Sequence, residues 1–208
     1  MLIAYHGKQE TKDFYVTRMK AHQAADEIQH GFYWEDGKGC AVGCTIHSDQ
    51  HKDYEKSLGV PMILARLEDR IFEGLSNGAA KEFPLRFLEA IKPGADLSMV
   101  WPKFAVWLLI DEKHGVARHT KKNSAQYVSI HAVADLYKRL IAGEDVKTQE
   151  WRAAAAAAAA AYAADADAAY AAYAYADAAA AADAAAAARN TSFKAQADKL
   201  IELLSEAT

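Results

Sequence analysis

The sequence predicts an all-α protein, a multi-helix bundle that ends in a long alanine-rich helix or helical hairpin. Two observations lead to that class. Apolar residues recur at helical spacing in almost every segment of the first roughly 150 residues. Residues 149–189 then form a 41-residue stretch of almost nothing but alanine, tyrosine and aspartate, without glycine or proline. Alanine is the strongest helix former, because its methyl loses no rotamer entropy. As one unbroken helix the tract would reach roughly 60 Å, longer than a compact domain of this size is wide. It must project, fold back or lie along a neighbour. The expected organisation is a helical body over residues 1–147 and an alanine-rich extension over 148–208, packed on the body or on a partner.

Each element has its own local warrant. Leu2–Tyr5 reads as a short strand or extended lead-in. Thr11 begins a helical run to about Gln29, with Tyr15, Met19, His22 and Ala25 on one face. Gly31–Gly43 reads as irregular. Ser48 suits an N-cap for a short helix that Gly59 ends, and Val60-Pro61 opens the next. That helix places Ile63, Leu64, Leu67, Ile71 and Leu75 inward, and Asn77-Gly78 is expected to close it. Its charged residues Glu68, Asp69 and Glu73, beside Arg66 and Arg70, read as a solvated face. A further helix, bent or started at Pro84, carries Phe83, Phe87, Leu88 and Ile91 inward. Lys92-Pro93-Gly94 is a turn. Pro102 sits in the first turn of a helix with Val100, Phe104, Trp107 and Leu108. Asp111–Asn123 is polar and loop-like. Val128–Ala142 is amphipathic and Gly143 stops it. Thr148 is the expected cap of the alanine helix, Asn190-Thr191-Ser192 the expected break, and Phe193, Ala197, Leu200 and Leu204 face inward from a last helix.

Composition narrows the function classes. A net charge of −4 without a basic block argues against duplex nucleic acid as a partner. The tail adds Glu150, Asp165, Asp167, Asp177 and Asp183 against only Arg152 and Arg189. Aspartates interrupting the alanines argue against a membrane span, and MLIAYHGKQE holds no apolar run of a signal peptide. Two cysteines four residues apart do not make a secreted disulfide scaffold. A soluble cytoplasmic protein, in the host cytoplasm if phage-encoded, is the expectation.

The chemistry-bearing residues gather between Tyr33 and His51. Cys40, Cys44, His47 and His51 fall at i, i+4, i+7 and i+11. On a continuous helix they would share one face and offer zinc a thiolate–imidazole set. Gly37, Gly39 and Gly43 let backbone N–H groups turn toward an anion, with Lys38 adding charge, while Tyr33 and Trp34 suit stacking on a base. A cysteine nucleophile, Cys40 or Cys44, with His47, His22 or His6 as base, is a third arrangement. In the tail, Trp151, Tyr162 and Tyr173 fall eleven residues apart in a narrow arc, with Tyr170 and aspartates beside it as a candidate binding stripe, and the opposite face is mostly bare alanine that permits close helix approach.

The runs YHGKQETKDFYVTRMKAHQAADEI, GCAVGCT, LARLEDRIFEGL, FPLRFLEAI and GADLS resemble a family of phage and prophage proteins. The resemblance covers roughly the first 150 residues, and the tail resembles tails found in such proteins and in bacterial immunity proteins. It brings no activity and no site residues. What it implies is a mobile-element setting, in which small accessory proteins blunt or supply host defence. The function expected is therefore a binding protein that sequesters a nucleotide-derived signal or a host defence protein. The alternatives are a metal-binding or Cys/His enzyme centred on Cys40, Cys44, His47 and His51, and a structural module that forms a homo-oligomer through its alanine face.

Overall fold

The computed structural model describes residues 2–173 and 178–208, with side chains described through residue 161 and again from residue 189. Among the described residues the fold is all-α, a multi-helix architecture with one two-stranded hairpin. The helices are α1 (Gln9–Ala24), α2 (Ala41–Ile46), α3 (Asp53–Leu58), α4 (Met62–Gly74), α5 (Asn77–Ala90), α6 (Val100–Ile110), α7 (Ala125–Ile141), α8 (Thr148–Tyr173) and α9 (Ala178–Glu206). The hairpin pairs β1 (Trp34–Glu35) with β2 (Lys38–Gly39). The chain divides into two compact units: Met1–Trp101 with Arg189–Thr208, and Pro102–Ala188.

The core of the first unit comes from the inward stripes of α4 and α5. Leu64, Leu67, Ile71 and Leu75 are buried as their spacing dictates, and so are Phe83, Phe87, Leu88 and Ile91, whereas Ile63 is exposed. Each large apolar side chain so buried contributes about 1.5–3 kcal/mol. Glu68 lies on the same stripe and is buried too, so it does not belong to the solvated face that its charged neighbours suggest. Asn77-Gly78 opens α5 instead of closing α4, which ends at Gly74. Pro84 lies inside α5 and is buried, and the helix begins seven residues before it. The first helix ends five residues before Gln29, at Ala24, where Asp26 takes a left-handed conformation. Ser48 does not begin α3; its hydroxyl accepts the Gln50 N–H at 3.1 Å and donates to Asp53 at 2.8 Å. Near the N-terminus, Ala4–Gly7 is a 3-10 turn with Tyr5 and His6 left-handed, and the Tyr5 hydroxyl donates to the Leu88 carbonyl at 2.7 Å.

The C-terminal end of α9 completes this unit. Its helix runs unbroken through Asn190-Thr191-Ser192, and the reason is visible in the partner of Asn190. That side chain accepts the N–H of Ser76 at 3.1 Å, so it serves the start of α5 and leaves its own helix intact. Phe193 lies against Gly74, where an added Cβ would sit 2.3 Å from the ring. Leu200 and Leu204 have no exposed surface. Leu200→Ala is expected to cost about 3 kcal/mol of folding free energy. An unchanged urea midpoint would mean that this helix does not dock as described.

In the second unit α7 and α8 form an antiparallel pair. Tyr137 meets Trp151 edge-on at 4.7 Å, Arg139 pairs with Glu150 at 2.5 Å, and Gln126 reaches the Ala161 carbonyl at 3.4 Å. Ser124 caps α7 by accepting the Tyr127 N–H. Gly143, at φ +83°, ends it. At the start of α8 the Glu150 carboxylate accepts the Lys147 N–H at 2.9 Å, as in a capping box. The alanine tract is helical in α8 and again in α9, on either side of residues 174–177. No described helix is long and apolar enough to cross a membrane.

Candidate functional site

The site begins with a turn. Asp36 and Gly37 have φ of 48° and 81°, both left-handed. Two such residues make the tight turn whose twist matches that of paired strands. The hairpin that results places Trp34 opposite Gly39. Its second strand also bridges to the segment after α1: Gly39 donates to the Glu27 carbonyl at 3.1 Å and accepts from Gln29 at 2.8 Å. Cys40 donates to the Phe32 carbonyl at 2.6 Å and precedes α2.

These bonds decide the role of the glycines. A Cβ on Gly39 would lie 2.2 Å, and on Gly43 1.5 Å, from the Tyr33 carbonyl oxygen. Both residues are glycine because the hairpin backbone rests on them. The N–H groups of Gly39 and Cys40 are already spent on protein carbonyls, so they do not form an anion cradle. Lys38 is exposed.

On one side of the hairpin, Trp34 stacks on His47 with ring centroids 4.2 Å apart and planes 10° from parallel. His47 follows the last turn of α2 in a left-handed conformation, φ 54°. Its Nε2 lies 2.8 Å from Nε2 of His22, and His22 Nδ1 lies 2.6 Å from a Glu27 carboxylate oxygen. His22 is buried and His47 exposed. Burial, then the nearby Arg18 guanidinium, hold the His47 imidazole below its ordinary pKa, so it is neutral at neutral pH. Arg18 itself donates to the Thr45 carbonyl at 3.0 Å.

On the other side a cleft of about 170 Å³ is lined by Gly31, Phe32, Tyr33, Cys40, Asp69 and Glu73. Phe32 and Tyr33 are each about half exposed, at 52% and 51%. Glu73 accepts the Gly31 N–H at 3.0 Å with one oxygen. Asp69 stands 3.4 Å from His51, yet one Asp69 oxygen and the His51 Nε2 are buried without a hydrogen-bond partner. Tyr33 meets His51 edge-on.

The four proposed zinc ligands are thus parcelled out. Cys40 faces the cleft beside Asp69, and Cys44 points its thiol at the Gly39 carbonyl, 3.3 Å away. His47 belongs to the His22 cluster and His51 to Asp69. The single helix that would align them stops at Ile46, and His47 turns the chain away. Among the described residues no group of three or more His, Cys, Asp and Glu side chains is placed to hold a metal ion. Both cysteines are free and buried. Burial, with Asp69 beside Cys40, pushes the Cys40 thiol far up, and burial pushes Cys44 up to about 12. Neither is a thiolate at neutral pH, which a cysteine nucleophile must be.

Of the residues singled out from sequence, the structure brings together Trp34 and His22 with His47, and Tyr33 with Cys40 and His51. Glu27, Asp69 and Glu73 join them without any sequence motif. The side chains of Tyr162, Tyr170 and Tyr173 lie outside the described residues. No family model, curated protein or solved structure matches the chain.

Proposed function

We propose that this chain is a binding protein of a phage or mobile element, and that its contact face is the cleft beside the hairpin. The setting is supported by the resemblance of its sequence runs to phage and prophage proteins. The observation that carries the binding reading is the cleft itself, whose lining combines half-exposed Phe32 and Tyr33 with the acidic residues Asp69 and Glu73. Such a lining selects by charge. A phosphate would face two carboxylates, whereas a guanidinium or alkylammonium stacks on the rings and pairs with the acids. Of the two ligand classes expected, a host protein presenting a basic side chain fits better than a nucleotide-derived signal. The enzyme alternative is disfavoured by the state of both thiols.

Titration calorimetry of the full chain with an arginine-containing peptide and with a nucleotide tests this. The peptide is expected to bind, with affinity falling about tenfold in Glu73→Gln, the loss of one charge-assisted contact. Nucleotide binding with no response to the peptide would refute the reading.

A further inference from the structure

The hydrogen-bond chain on the far side of the hairpin orders its protons when Glu27 is ionised and His22 is neutral. An ionised Glu27 only accepts, so His22 Nδ1 carries a proton and donates at 2.6 Å. His22 Nε2 in a neutral ring is then an acceptor, and the proton between the two imidazoles belongs to His47 Nε2, 2.8 Å away. What remains is His47 Nδ1, a lone pair on an exposed residue, without a protein partner among the described residues. The stacked Trp34 indole covers one face of the ring. A neutral imidazole of set tautomer, backed by a second imidazole and a carboxylate, is arranged as a nucleophile. Charge selects the electrophile. Arg18 is held at the Thr45 carbonyl, two residues before His47, and its positive charge bears on the imidazole. An anionic group is favoured there.

We infer that His47 is a phosphoryl-acceptor site, taking the group at Nδ1 from a donor with a labile P–N bond, and that His22 and Glu27 are positioning residues for the transfer. The Nδ1 lone pair forms the new N–P bond as the donor's own P–N bond breaks, and its amine leaves with the bonding pair. Attack makes the His47 Nε2 proton acidic. That proton passes to His22 Nε2, and the imidazolium so formed lies against the Glu27 carboxylate. This site is separate from the cleft, and neither reading depends on the other.

The test is incubation of the full chain with phosphoramidate at neutral pH, followed by peptide mapping of an acid-labile, alkali-stable phosphoryl adduct. His47 is expected to label about tenfold faster than the exposed His6 and His119, whose ring nitrogens contact the Lys56 carbonyl and the Arg118 guanidinium instead of a carboxylate-backed histidine. Glu27→Gln is expected to slow labelling of His47 about tenfold and to leave His6 and His119 unchanged. The wild-type map needs no variant to fold. Labelling that follows exposure alone, or none at all, would overturn the inference, and so would a Glu27→Gln protein that labels at the wild-type rate.

Discussion

Gly43→Ala is expected to destabilise the protein by about 3 kcal/mol, at the upper end of what a single added methyl costs in a packed interior. The new Cβ would lie 1.5 Å from the Tyr33 carbonyl oxygen and 2.6 Å from its carbon. Both are backbone atoms, so no rotamer change relieves the clash. Either the hairpin lifts from α2 or α2 shifts under it. Lifting the hairpin moves Trp34 off His47 and Phe32 and Tyr33 off the cleft, so stability and arginine-peptide affinity should fall together. Urea denaturation followed by tryptophan fluorescence checks the first, calorimetry the second. Were Gly43 present to admit an anion, the alanine variant would keep its stability and lose only ligand. Full stability would mean that the hairpin is not seated on α2 in this way.

The same hairpin shows what the sequence discloses and what it withholds. Asp36-Gly37 is a strong two-residue turn signal, but strands two residues long are too short to show alternation, so the segment reads as irregular. Where a stripe is long and one-sided, as in α4, α5 and the end of α9, spacing alone identifies the buried residues. Where a polar residue serves a neighbouring element it misleads. Asn190 reads as a break because its side chain's partner, Ser76, lies 114 residues away. Asn77-Gly78 carries a helix-stop composition, yet it starts a helix because Asn190 holds the N–H just ahead of it. The site was legible only in part for the same reason. Tyr33, Trp34, Cys40 and His47 could be picked out as a dense cluster. Their arrangement depends on His22 and Glu27, brought in when Gly39 bridges to the chain after α1. No periodicity links His22 to His47 across 25 residues.

Glu68 yields the prediction with the widest reach, because its sign reverses the usual expectation for a carboxylate. It has no exposed surface. The Tyr54 hydroxyl donates to one of its oxygens at 2.7 Å, while the other is buried without a partner. Burial raises its pKa most, the Tyr54 bond lowers it, and the Asp69 charge raises it again, which leaves it well above the ordinary 4.5. In the folded chain Glu68 is therefore the neutral acid, while in the unfolded chain it ionises normally. The folded state binds the extra proton, so this contribution is complete below the unfolded value and is lost as pH rises toward the folded one. The loss runs at about 1.4 kcal/mol per pH unit across that window. Glu68→Gln keeps an acceptor for Tyr54 and removes the titration. It should flatten stability against pH above 4.5 and leave the variant more stable than wild type on the alkaline side. Exposed acids whose pKa values are lowered, such as Asp26, Asp96 and Glu150, slope the opposite way at lower pH and are common to both proteins. The difference between the two urea-midpoint curves therefore isolates Glu68. Parallel curves would show that it is ionised and solvated in the fold, and that the polar cluster of Tyr54, Asp69 and Cys40 beneath the cleft is open to water.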